Sequence, residues 1–151
     1  DDTIALVAYQ PAMKKIIVRK DLDGALAPIY GDPLQLKQVF LNLVLNAMQA
    51  MPNGGEMEIK TENTQNGIEA VISDTGAGIS EDEKKKIFQP FYTTKPNGTG
   101  LGLSITYGIV KEHGGEINVE SSPGQATRFK ISLPLKDYEK TGKMLTVAAG
   151  G

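Results

Sequence analysis

Two asparagines, Asn42 and Asn46, stand one helical turn apart in a segment otherwise crowded with leucine, valine and methionine. With Gln35, Gln38 and Gln49 they recur at three- and four-residue spacing, so on a helix they form one uncharged polar stripe. Two readings fit such a stripe. It is the wet face of a buried helix, or it lines a site that holds a cation beside phosphate and repels neither. Asparagine costs up to about 0.7 kcal/mol relative to alanine within a helix, and a merely solvated stripe is more often built from Glu or Lys. On the second reading Asn46 offers its side-chain oxygen to a hard cation such as Mg²⁺.

A carboxylate and two glycine clusters extend the second reading. Asp74-Thr75-Gly76-Ala77-Gly78-Ile79 follows a β-branched run. Glycines beyond a carboxylate let backbone and side chain approach a flat ligand. An ionised Asp74 only accepts, so it can take a hydrogen bond from the exocyclic amine of adenine, whereas guanine presents a carbonyl there. An aspartate that turns back onto its own backbone reads the same way in sequence. Gly98-Thr99-Gly100-Leu101-Gly102-Leu103 precedes a helical pattern, where converging N–H groups and the helix start favour anions. A glycine hinge would look alike. Thr94 and Lys95, just upstream, add a donor and a positive charge.

Other nucleotide and catalytic signatures are absent. Gly142-Lys143 is followed by Met144, so there is no P-loop, and the GxGxG spacing is not a dinucleotide fingerprint. No protein-kinase HRD or DFG pair occurs. His113 is the sole histidine and cysteine is lacking, which removes disulfides, thiolate chemistry and Cys-based zinc sites. A net charge of −2 gives no electrostatic footprint for nucleic acid. Asp74-Thr75-Gly76 also spells an aspartic-protease signature, but such proteases are nearly all-β and a greasy twenty-residue helix contradicts them.

The elements that must position these residues follow from periodicity and punctuation. Lys15–Lys20 reads as a strand around Ile16-Ile17-Val18. Asp32–Met51 is the clearest helix, apolar almost all round. Asp32 caps it, Pro33 takes the first position, and Gln35 makes a box-like pattern. Pro52-Asn53-Gly54-Gly55 ends it. Glu56–Glu62 alternates, Glu69–Ser73 leads into the Asp74 cluster, and Asn66-Gly67 marks the turn between them. Ser80–Phe88 reads as a short capped helix, 89–98 as a loop, and Gly100–His113 as a second long helix closed by Gly114-Gly115. Glu116–Ser121 and Thr127–Leu133 form a final strand pair. The pattern predicts an α+β two-layer sandwich: a mixed, mostly antiparallel sheet with three helices on one face. Residues 1–14 are expected to end a connecting segment, 15–135 to form the domain, and 136–151 to be a loose tail. The chain opens without Met, as expected of a fragment or a processed product, and no apolar run approaches the length of a membrane helix.

The order NLVLNAMQAM, DTGAGI, IFQPFYTTK and GTGLGLSI resembles the N, G1, F and G2 boxes of the histidine kinase catalytic domain. That domain belongs to an ATPase superfamily shared with the gyrase B subunit and a heat-shock chaperone. The resemblance runs from about Lys15 to Leu135, and the FYTTKP segment looks like the nitrogen-regulator type. It implies a Bergerat-type fold that binds ATP and Mg²⁺. It implies Asn46 as Mg²⁺ ligand, Asp74 as adenine acceptor with Gly76, Gly78 and Ile79 beside the base, and Gly98, Gly100 and Gly102 as phosphate-binding glycines. Phe88 and Phe91 match the F box, and Thr127 matches a threonine near the adenine-binding aspartate.

The resemblance further implies transfer of the γ-phosphoryl to a histidine on a separate helical dimerisation domain, then to a response regulator aspartate. It implies a cytoplasmic domain, monomeric as a fragment, of a kinase either membrane-anchored or soluble. Hydrolases of the superfamily carry Glu four residues before the Mg²⁺-binding asparagine; here Asn42 stands in that catalytic position and cannot take a proton from water, so hydrolysis should be slow. Many members have Lys where this chain has Gln49, and a glycine where it has Ala126. His113 sits at a helix end before two glycines, as a dipole partner or a packing residue, and not as the phosphoacceptor.

Overall fold

The computed structural model describes residues 15–26, 31–90, 102–121, 124 and 126–135. Five strands form one sheet, β1 (Ile16–Leu22), β2 (Gly55–Asn63), β3 (Gly67–Asp74), β4 (Glu116–Glu120) and β5 (Thr127–Pro134), in the order β1-β2-β3-β5-β4. β1 runs parallel to β2 and every other pairing is antiparallel. Three helices accompany it: α1 (Pro33–Ala50), α2 (Glu81–Lys84) and α3 (Gly102–Glu112). This is the expected mixed α+β sandwich. Residues 1–14 and 136–151, read as connecting segment and tail, lie outside the described residues.

α1 starts where its sequence dictates. Asp32 Oδ1 accepts from the N–H of Leu34 at 2.9 Å and Gln35 at 3.3 Å, and Pro33 occupies the first turn. The reciprocal half of the expected box is not supplied by Gln35. The Asp32 N–H donates instead to His113 Nε2 at 3.0 Å, while His113 Nδ1 donates to Ile109 O at 2.7 Å. Those two bonds assign the ring proton to Nδ1. His113 is thus a bridge from the end of α3 to the start of α1, which replaces the dipole-partner reading. With both ring nitrogens engaged, neither is a free nucleophile. Gly31 packs against the bridge; a Cβ there would lie 2.9 Å from the imidazole.

α1 is less uniformly buried than its composition suggests. Leu36, Val39, Leu43, Val44, Ala47 and Met48 face the sheet, but Leu34, two residues and about 200° around the helix from Leu36, is 78% exposed. Opposite lie Met57, Ile72, Phe129, Ile131 and Leu133. Each large, fully buried side chain here contributes about 1.5–3 kcal/mol of transfer free energy. Directly paired residues share a face, so Ile59, Ile72 and Phe129 form one inward row. The other face carries the Arg19–Glu56, Lys60–Glu62, Lys130–Glu69 and Arg128–Glu120 ion pairs.

Several boundaries move, and β3 already starts at Gly67. β1 continues through Leu22 because its parallel register with Lys60 and Thr61 holds beyond Lys20. α2 is one turn rather than nine residues. Its capping box forms as read, but Lys86 and Ile87 both bond back to Glu83 O and Gln89 to Lys86 O, a tighter winding that turns Ile87 into the core. α3 closes one residue early in a Schellman motif, with Gly115 N–H to Val110 O, Gly114 N–H to Lys111 O, and Gly114 at φ 74°. No described helix is long and apolar enough to cross a membrane.

Candidate active site

β3 ends at Asp74, which is 2% exposed although it carries a carboxylate. A buried charge of this kind needs hydrogen-bond partners. Oδ1 accepts from the Gly76 N–H at 2.8 Å, so the self-turn reading is realised for one oxygen. The ladder places Met57 on one side of Asp74 and Thr127 on the other. Thr127 is buried, and its hydroxyl meets Ser121 Oγ at 2.8 Å. Ser121 Oγ also accepts the Ile79 N–H at 2.8 Å, which ties the loop after β3 to the β4–β5 end.

That loop is fixed from three directions. Thr75 N–H donates to Glu56 O and Glu56 N–H to Thr75 Oγ1, which extends the β2 pairing by one residue. Gly124 N–H donates to Ala77 O at 2.7 Å. Gly78 has φ 80°, a conformation costly for any side chain. Gly76 is required for a different reason: a Cβ would fall 2.5 Å from Ala50 O and 2.8 Å from Ala50 Cβ, against the end of α1. Backbone cannot give way cheaply. Gly76→Ala should lower stability by about 1–3 kcal/mol, read as a lower urea midpoint at unchanged slope; a midpoint equal to the parent's would mean that this loop yields.

The other end of the groove lies at α3. Asn42 Nδ2 donates to Gly102 O at 3.1 Å and to Thr106 Oγ1 at 3.2 Å, and Gln38 Nε2 donates to Asn42 Oδ1 at 2.7 Å. Asn42, Asn46 and Ala50 follow at i, i+4 and i+8, on one face of α1. The face therefore meets the start of α3 at Asn42 and the Gly76 loop at Ala50, with half-buried Asn46 between them. The span from 42 to 50 is about 12 Å at 1.5 Å per residue, the scale of an extended nucleotide from base to terminal phosphates.

The expected site residues separate accordingly. Asn42 meets Gly102, Asp74 bonds Gly76 and pairs with Thr127 in the ladder, Ile79 joins Thr127 through Ser121, Gly78 lies in the same loop, and Asn46 stands on α1 between Asn42 and Ala50, which abuts Gly76. Gln49 is exposed beside it. The side chains of Ile79 and Leu103 pack against the core, and the Ile79 N–H is already given to Ser121. Among the described residues a Cβ on Gly102 would meet only Asn42 Cγ, at 4.0 Å. Thr94, Lys95, Gly98, Thr99, Gly100 and Leu101 lie outside the described residues, as does Phe91. Phe88 stacks against Tyr107 of α3, centroids 5.4 Å apart, and edge-on to Phe129. Sequence reasoning missed Ser121 and Thr106; the turn signal at Pro123-Gly124, between Ser121 and Thr127, was the only hint for the first.

Among the described residues no three His, Cys, Asp or Glu cluster as a metal cage. Asn46 is half-buried on the α1 face between Asn42 and Ala50, and an amide oxygen is a hard donor that suits Mg²⁺ held largely by phosphates and water.

A sequence profile of histidine kinase-, DNA gyrase B- and HSP90-like ATPases matches residues 31–137. Sporulation kinase E of Bacillus subtilis (strain 168) is 43% identical over 136 residues, covering 89% of this chain and 18% of its own length. Sensor histidine kinase ZraS of Escherichia coli (strain K12) is 38% identical over 138 residues, 91% of this chain and 30% of its own. The chain thus spans less than a third of these curated relatives. The nucleotide-free catalytic domain of histidine kinase ThkA has a TM-score of 0.80 at 32% identity, covering 89% of both chains. Full-length ShkA in complex with AMPPNP gives 0.77 at 26% identity, over 97% of this chain and 29% of that one. The buried acid, the glycine loop and the amide-lined helix therefore sit in a chain that belongs to the histidine kinase-, DNA gyrase B- and HSP90-like ATPase family, as an ATP-binding domain homologous to those of sensor histidine kinases.

Proposed function

We propose that this domain binds Mg-ATP in the groove between α1, the loop after β3 and the start of α3, and transfers the γ-phosphoryl to a histidine on a separate helical dimerisation domain. One observation carries this reading: a buried carboxylate and a glycine loop at one end of a 12-Å-scale amide face, and a helix start at the other. Asp74 accepts the adenine amine. The N–H groups of the first turn of α3, which lack partners within the helix, face phosphate oxygens. Asn46 holds the metal, and Mg²⁺ supplies neutralisation of the charge on the transferred group. Asn42 cannot act as a base, so the phosphoryl is kept from water and passed to the histidine nitrogen.

The acceptor domain, a response regulator with a receiving aspartate, and a cytoplasmic setting belong to the same proposal. So do the divisions at 1–14, 15–135 and 136–151 and a monomeric fragment. That the relatives are kinases far longer than this chain supports the separate acceptor domain.

Titration with ATP, ADP and GTP, with and without Mg²⁺, tests the reading. ATP and ADP should bind, GTP should bind at least about tenfold more weakly, since its carbonyl would meet the Asp74 carboxylate acceptor to acceptor, and Mg²⁺ should strengthen ATP binding. Equal affinity for ATP and GTP would sink it. A domain that binds ATP but phosphorylates no added acceptor domain would be a nucleotide-binding module without transfer activity.

A further inference from the structure

Position 42 does more than withhold a base. The Asn42 amide is engaged at both ends: its Nδ2 donates toward Gly102 O and Thr106 Oγ1, which lie 2.9 Å apart and so share one N–H, and its oxygen accepts from Gln38. Thr106 is wholly buried, and its hydroxyl donates to the same Gly102 carbonyl at 2.9 Å. Asn42, Thr106 and Gly102 thus close a three-membered ring of hydrogen bonds. Threonine bonding back four residues within its own helix tends to bend the turn it spans. Here the back-bond and the Asn42 amide converge on the first carbonyl of α3, so the direction of that turn is set by a residue on another helix.

We propose that Asn42 and Thr106 act together as positioning residues, aiming the first turn of α3 at the phosphates while touching neither base nor phosphoryl group. This rests on the nucleotide reading above and adds to it a source for the phosphate geometry. Thr106 lies on the second turn of α3, and among the described residues its hydroxyl bonds Gly102 and Asn42, through which it reaches that turn.

The experiment is a double-mutant cycle read with two ligands. Asn42→Ala, Thr106→Val and the double variant are titrated with ATP and with adenosine, which lacks phosphates. Thr106→Val keeps the buried volume and removes only the hydroxyl, so it carries the test even if Asn42→Ala fails to fold. The expected result is a Kd for ATP about tenfold higher in Thr106→Val, adenosine affinity within about twofold of the parent, restoration by Thr106→Ser, and a double variant no worse than the poorer single one. ATP bound by Thr106→Val as tightly as by the parent would overturn the proposal. So would equal weakening of ATP and adenosine, since that loss would be global. A parent chain that binds neither ligand would remove the nucleotide reading itself, and the proposal with it.

Discussion

Asp74→Asn should weaken ATP binding at least about tenfold, and toward a hundredfold if the whole charge-assisted bond is lost. The magnitude follows from burial. At 2% exposure Asp74 has no water to substitute for a missing partner. Asparagine keeps an oxygen for the Gly76 N–H, so the self-turn and the loop survive. What changes is the rest of the group. An amide NH₂ aimed at an adenine amine sets donor against donor, and the negative charge is gone. Isothermal titration with ATP and ADP reads this directly, and both ligands should weaken alike because both carry the base. Affinity equal to the parent's would remove Asp74 from adenine recognition. A circular dichroism spectrum like the parent's separates lost binding from lost fold.

Asn46→Ala should affect chemistry more than binding. The substitution removes the amide oxygen midway along the groove face of α1 and improves helix propensity, so the helix itself should persist. Loss of an oxygen ligand that positions the metal against the phosphates costs several kcal/mol of transition-state stabilisation, about 10²–10³ in rate. Transfer of phosphoryl to an added helical acceptor domain in the presence of Mg²⁺ should therefore fall by at least about a hundredfold. Binding of ATP in EDTA should change little. Asn46→Asp is the sharper control: it keeps an oxygen and adds a charge beside the phosphates. Substantial transfer by Asn46→Ala would refute the ligand assignment.

Local signals in the sequence reached the elements and half of the site. The Asp32 cap, Pro33, the alternation in Glu56–Glu62 and the glycines after α3 each encode their structure within a few residues. The stripe on α1 was equally legible, and it divides as its two readings did: Gln38 and Gln49 are exposed, while Asn42 and Asn46 are half-buried. What escaped is long-range. His113 replaces Gln35 as partner of the Asp32 N–H across eighty-one positions. Ser121 joins Ile79 to Thr127, and Thr106 joins Asn42 to Gly102, through contacts with no periodicity. The parallel pairing of β1 with β2 depends on the crossover through α1, which no residue of Ile16–Leu22 announces. Leu34 escaped for the opposite reason. Its apolar character promised burial, but it stands about 200° around α1 from the buried Leu36.

The two long helices are tied twice, by His113 to Asp32 at one end and by Asn42 to Gly102 at the other. Eleven residues separate the ties on α3 and ten on α1, so the rungs are nearly matched in length, about 15–17 Å. A slip by one helical turn, about 5.4 Å, would break both rungs at once. The two rungs therefore fix the register of α1 against α3, and with it the spacing between Asn42 and the first turn of α3.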